Sequence, residues 1–305
     1  MRLNPYPDPL LTASVYCEGY SDALLDAVVR PFRQFMESVD PVAFLWTWRF
    51  GARGEHVKLR VHAAADAQER LREGLVEPID GFLTSLPEPE ASPRKSPGSY
   101  PAIDPEDAGT ERQPDRSWCW TTYRRSPFVL GAEKLAEDER MVGLFTHAQG
   151  AISEVVLTHL VPRHAEPGFA TRRQTLVLRL VIASLVALGF DRERRDSYLR
   201  HHRDWLIRFL VAKKKSGDVT PETMLDLYRK QIEAMNDSML SVRRNVAAAD
   251  QDPGRDTVFP MWQQRLVEFF DHVTSYRGNP KYDLDPYTDD YAFLPLFKLL
   301  HGAAN

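Results

Sequence analysis

Apolar and polar positions alternate with period two in some stretches of the first third of the chain and recur at helical spacing in others. From Ala132 onward the spacing changes to helical, and the C-terminal two thirds is mostly helical. Ala13 to Tyr16 reads as a short strand. Leu24, Leu25, Val28, Val29, Phe32 and Phe35 then fall on one helical face, with Ser21 or Asp22 as the expected cap. Pro31 lies inside that pattern, and a proline there removes a donor and crowds the preceding turn, so a kink or break is expected. The aromatic run Ala43 to Phe50, between Pro41 and Gly51, has strand composition. After the turn Gly51 to Glu55, the segment His56 to His62 alternates strictly. Val57, Leu59 and Val61 point one way, and His56, Lys58, Arg60 and His62 the other. A helix over 64–82 completes a β-α-β-β-α run.

Pro87 to Ser117 breaks the pattern. Its seven prolines and few apolar side chains cannot bury enough surface to order it independently, so 87–117 is read as a mobile loop. Trp118 to Tyr123 resumes as a strand. A helix carrying Leu135, Met141, Val142, Leu144 and Phe145 is expected next, then a second carrying Ile152, Val155, Val156, Leu157 and Leu160. Further helices are expected over Thr171 to Leu188, ended by Gly189, then Asp191 to Val211, Pro221 to Met239, Val258 to Tyr276 and Tyr291 to His301. The fold class is therefore α+β: an N-terminal antiparallel sheet with packed helices, followed by a mainly helical C-terminal two thirds, taken as one domain over 1–305.

Composition narrows the function classes. With 305 residues the chain can bury a large core, and its 43% hydrophobic and 27% charged residues are those of a globular protein. A net charge of −4 does not favour nonspecific nucleic-acid binding. Basic residues do gather at Arg172-Arg173, Arg192 to Arg195, His201 to Arg203 and Lys213 to Lys215. They form either a solvated helix face or a patch for an acidic partner such as a leader peptide. Two cysteines, Cys17 and Cys119, without metal-ligand spacing argue against zinc and fit a reducing cytoplasm. Met1 to Leu11 is not signal-peptide-like, and the apolar run Leu176 to Phe190 is too short to span a bilayer. GxSxG, GxGxxG and GxxxxGK[ST] motifs are absent, and nothing calls for a nucleotide, metal or other cofactor.

Two segments could carry chemistry. The polar face of 56–62 is either half-solvated or a binding strip, since basic side chains two residues apart converge on one spot and suit a carboxylate or peptide carbonyl. The second is 282–301, dense in acids and phenols: Tyr282, Asp283, Asp285, Tyr287, Asp289, Asp290 and Tyr291, with His301 ten residues on. It is either a solvated loop or a proton-transfer cluster in which a carboxylate orients a phenol.

Together these segments resemble the C-terminal domain family of the lantibiotic dehydratases, which acts on ribosomally made peptides. The resemblance runs through Val15-Tyr16 and Ala27 to Pro31, the hairpin Phe44 to Phe50 with His56 to Arg60, the turn from Tyr123 to Val129-Leu130-Gly131-Ala132-Glu133, and Leu300-His301-Gly302-Ala303-Ala304-Asn305. It spans nearly the whole chain. The family divides into lyases that eliminate glutamate from glutamylated Ser or Thr, and pyridine synthases that join two dehydroalanines. Lys58 stands where the lyases carry an arginine, losing the bidentate fork for a carboxylate. Val129 and Ser126 stand where a further arginine and an acid are expected, with Arg124 or Arg125 out of register. These departures favour the pyridine synthases; Arg60 and His301 keep the lyase open, and a non-catalytic leader-binding partner is a third reading.

The resemblance implies a formal [4+2] aza-cycloaddition, then dehydration and loss of the leader. Tyr291, Tyr287, His301 and Asp289 would move protons. Lys58, Arg60, His56, Trp48, Trp46 and Arg124 would bind substrate, the tryptophans against its azole rings unless core packing claims them. The implied partner is a modified precursor peptide, leader plus core, without nucleic acid or membrane, and a homodimer is the assembly to test.

Overall fold

A computed structural model describes residues 8–50, 54–87, 113–123, 138–169 and 260–275, with isolated positions between 173 and 230. The chain divides into two compact units, Met1–Pro167 with Glu268–Asn305, and Gly168–Val267.

The first unit is built on an antiparallel sheet. Strand β1 (Leu11–Tyr16) leads through Gly19, at φ 80°, into α1 (Ser21–Leu24). A π-helical turn, Leu25–Val29, separates α1 from α2 (Arg30–Val39). This is the expected break. Pro31 has no N–H to close an α-turn, and the widened turn spares its ring a clash. The expected cap is corrected: the N-cap is Tyr20, without a side-chain bond, because the Ser21 hydroxyl donates instead to Glu55 Oε1 at 2.9 Å.

Strands β2 (Phe44–Phe50) and β3 (His56–His62) form the hairpin, Phe44 opposite His62 and Phe50 opposite His56. A 3₁₀ turn, Ala65–Ala67, precedes α3 (Gln68–Ser85), which therefore runs three residues beyond the expected end. β4 (Ser117–Trp120) is shorter than expected; beyond it the Thr121 amide continues the pairing, to Thr12 O. The strand order is β2-β3-β1-β4, with β1 antiparallel to both neighbours. Most of the Pro-rich stretch, 88–112, lies outside the described residues.

One sheet face is apolar. Leu11 and Val15 of β1, Leu45 of β2 and Val57, Leu59 and Val61 of β3 pack with Leu24, Val28, Phe32 and Met36 and with Leu71, Leu75 and Ile79 of α3. Each such side chain contributes about 1.5–3 kcal/mol by leaving water. Asp40, only 8% exposed, ties the strand ends together: its carboxylate accepts from the Val42 amide at 3.0 Å and the Ala64 amide at 2.9 Å.

One continuous helix, α4 (Glu139–Val155), corrects the expectation of two. It runs on into a π turn, Val156–Leu160. The stretch 146–151 looks like a break because it holds His147, Gln149 and Gly150. It continues as helix because small residues let β2 approach closely. A Cβ at Gly150 would lie 2.8 Å from the Phe44 ring, and the Ser153 hydroxyl accepts from the Thr47 amide at 3.0 Å. At one edge of the described sheet, β2 thus has a backbone donor covered by a helix. Asp138 caps α4, its Oδ1 accepting from the Met141 amide at 3.0 Å.

Helix α5 (Pro260–Ser275) matches the expected 258–276. In the second unit the described residues at 173, 180, 184 and 187 are helical, and Gly189, at φ 69°, follows in a turn as expected.

Candidate functional site

The second face of the sheet is polar, and it is buried. Alternation places Thr12, Ser14 and Tyr16 of β1 opposite the apolar side, and register sets them against Arg60, Lys58 and His56 of β3. Phe44 and Trp46 lie across β3 from His62 and Arg60. A half-solvated strand is overturned: His56, Lys58 and His62 are 0% exposed and Arg60 3%. Burying cations is costly unless the surroundings compensate, so such residues gather where function demands them.

Aromatic rings supply part of the compensation. The Arg60 guanidinium carbon lies 4.5 Å from the Trp46 ring centre and 5.3 Å from that of Tyr123. Trp46 is buried, and its indole N–H donates to His62 Nε2 at 2.9 Å. An indole nitrogen only donates, so His62 is neutral with its proton on Nδ1. Phe44 stacks between His62 and His147, with both centroid separations 4.4 Å. His56 Nδ1 lies 2.8 Å from Gly54 O, which can only accept. The proton therefore sits on Nδ1, and in the neutral ring Nε2 carries the lone pair, the arrangement of a base. The Tyr16 ring packs on His56 at 4.6 Å.

Hydroxyl groups complete the face. Thr12 Oγ1, Ser14 Oγ and Thr121 Oγ1 are buried without a hydrogen-bond partner among the described residues. Sequence reasoning missed them because Ser and Thr are ordinary in strands. Their signal was the spacing of two along β1, visible only once β1 is known to lie beside β3.

Of the expected binding residues, Lys58, Arg60, His56 and Trp46 come together on this face. Trp46 belongs to the packed layer, beneath Arg60. Trp48 pairs with Lys58 in register, while Arg124 and the expected catalytic Tyr287, Asp289, Tyr291 and His301 lie outside the described residues. Among the described residues no cluster of His, Cys, Asp or Glu has a geometry that holds a metal, no helix is long and apolar enough to cross a membrane, and neither cysteine is in a disulfide.

The fold has solved counterparts. The chain is similar to the pyridine synthase TbtD from thiomuracin biosynthesis, at a TM-score of 0.62 and 18% identity, covering 96% of each chain. Its fold is that of a pyridine synthase. At a TM-score of 0.49 and 14% identity it is also similar to the tRNA-dependent lantibiotic dehydratase MibB from Microbispora sp. 107891, covering 97% of this chain and 26% of that one. No protein-family model and no curated protein sequence matches the chain. The fold is thus the one that the resemblance read from the sequence leads one to expect.

Proposed function

We propose that the chain is a thiopeptide pyridine synthase acting on a modified precursor peptide, leader plus core. The observation that carries this reading is the match to a pyridine synthase fold over 96% of both chains. Lys58 in place of an arginine supports it further, because a lysine lacks the fork that grips a glutamyl carboxylate. In this reading 1–305 works as one domain, in the cytoplasm, and a homodimer is the assembly to test.

The reaction joins two dehydroalanines. The amide beside one of them becomes an iminol, its nitrogen losing a proton and its oxygen gaining one. Tyr287, Tyr291 and Asp289 are assigned that transfer, with His301 assisting. The second dehydroalanine adds across the resulting 2-azadiene. Orientation supplies most of the acceleration, since holding two parts of one peptide in contact is worth effective molarities of ~10⁵ M or more. Loss of water and expulsion of the leader as an amide then make the ring aromatic. Lys58, Arg60 and His56 bind the core peptide on the sheet's polar face, while the basic segments 172–173, 192–195, 201–203 and 213–215 hold the leader.

A second reading, the glutamate-eliminating lyase, draws on Lys58 and Arg60 lying two residues apart on one buried face, as a carboxylate site requires. Two incubations separate them. A precursor already carrying two dehydroalanines should give a pyridine macrocycle and free leader amide. A glutamylated precursor that releases glutamate and keeps its leader would establish the lyase instead. Alanine at Tyr287, Tyr291 or His301 should abolish turnover with leader affinity kept; a wild-type chain that binds leader and turns over neither peptide would be a binding partner.

A further inference from the structure

The two edges of the described sheet are finished differently. At β2 the Thr47 amide is bonded to Ser153 of α4. At β4 no described strand pairs with the outer side. β4 is also accessible: all four of its residues are half-buried, whereas β1 and β3 are buried throughout.

Register decides which backbone groups face outward. The Thr121 amide donates to Thr12 O at 2.9 Å, so Thr121, Cys119 and Ser117 turn their N–H and C=O groups toward β1. Arg116 lies just before the strand at φ 59°, where its amide reaches Tyr16 O, so the alternation begins at Ser117. Trp118 and Trp120 turn theirs to the outer edge. Their rings are held by α3: the Trp118 indole donates to Asp80 Oδ1 at 2.7 Å, and the Arg72 guanidinium carbon lies 5.3 Å from the Trp120 ring centre. Sheet edges invite pairing, and chains usually blunt them with charge, proline or cover. Ser117-Trp118-Cys119-Trp120 carries neither a charged residue nor a proline. A fixed, uncharged edge with outward donors and acceptors is a template for extended chain.

We propose that an extended, unmodified stretch of the precursor's leader adds along the outer edge of β4 as a further strand. The proposal rests on the peptide-modifying reading above and deepens it by stating how the leader is held. The leader fits better than the core, because each azole ring in the core replaces a backbone N–H and strand pairing needs an unbroken alternate row of them. Charge on the basic segments attracts the leader, and pairing along β4 sets its register.

Amide exchange resolved to single residues tests the pairing, with a synthetic peptide of the leader sequence as the probe. In the free chain the Trp118 and Trp120 amides should exchange at least about tenfold faster than those of Cys119 and Thr121, and the leader should slow them by about the same factor. Two versions of the leader, N-methylated at alternate amides in the two possible phases, should differ. One phase should lose affinity by about tenfold or more, and the other should stay within about twofold of the unmethylated leader. Trp120→Val keeps the outward amide and Trp120→Pro removes it, both without the ring. The proline variant should therefore bind leader about tenfold more weakly than the valine variant.

Slow exchange at Trp118 and Trp120 in the free chain would overturn the proposal, because another segment or a second copy would already hold the edge. So would exchange that stays unchanged at the highest soluble leader concentration, equal binding of the two methylated leaders, or equal binding by the two Trp120 variants. The function reading fails separately. A chain that makes the pyridine product with these amides unprotected keeps its function and loses the edge site; one whose amides the leader protects, but that makes no pyridine, does the reverse.

Discussion

Trp46 shows how one side chain links the hairpin to the site. Its ring lies under the Arg60 guanidinium and its N–H is bonded to His62. Trp46→Phe keeps a ring beneath Arg60 and removes the donor, leaving His62 Nε2 without that bond in a buried layer. The loss should be about 1–3 kcal/mol. Trp46→Ala removes the packing as well and should cost about 3–5 kcal/mol, both read by urea unfolding. Equal losses for the two would mean that the ring's packing contributes nothing beyond the bond to His62. At this scale the sequence was informative about identity and misleading about environment. His56, Lys58, Arg60 and His62 were legible as one face, because alternation on a strand needs only period two. Their burial was not legible, because a polar strip covered by distant chain has the same composition as one facing water.

Among the elements, α4 offers a pair of glycines with opposite expected outcomes. Gly150 meets the Phe44 ring, which is already stacked on both sides and has little room to move. Gly150→Ala should therefore destabilise by about 1–3 kcal/mol despite alanine's better helix propensity. Gly143, in the same helix, has nothing within 4 Å of an added Cβ, so Gly143→Ala should stabilise by about 0.5–1 kcal/mol. Denaturant midpoints for the two variants, moving in opposite directions, check the packing of α4 on β2. The hairpin and α2 were readable from pattern because their determinants are local. The join across 146–151 was not, since its cause is a close approach to a strand about 100 residues earlier. The same holds for β4, whose pairing with β1 spans a similar separation.

For the molecule as a whole, α5 meets the start of α4 through His272 and Asp138, Nε2 to Oδ2 at 3.9 Å. Burial lowers the His272 pKa below its usual 6.5, Arg140 lowers it further, and Asp138 opposes them. Burial prevails, so near neutral pH the ring is uncharged and the contact is not an ion pair. The unfolded chain gains this proton as pH falls through 6.5, before the folded chain does. The stability is therefore complete above pH 6.5 and is lost as pH falls through the lower folded value. Melting scans at pH 7.5 to 5 should show that decline, and His272→Gln should flatten it.

The central claim is spatial: the acid–base residues of 287–301 act on a peptide held against the polar face of β1 and β3. The most direct measurement is an intramolecular photo-cross-link from a benzophenone amino acid at Tyr291, located by mass spectrometry. The account predicts adducts on the peptides holding 11–16 or 56–62, reduced when substrate is added. Adducts confined to the outer surfaces of α2 and α3, on the far side of the sheet, would contradict it.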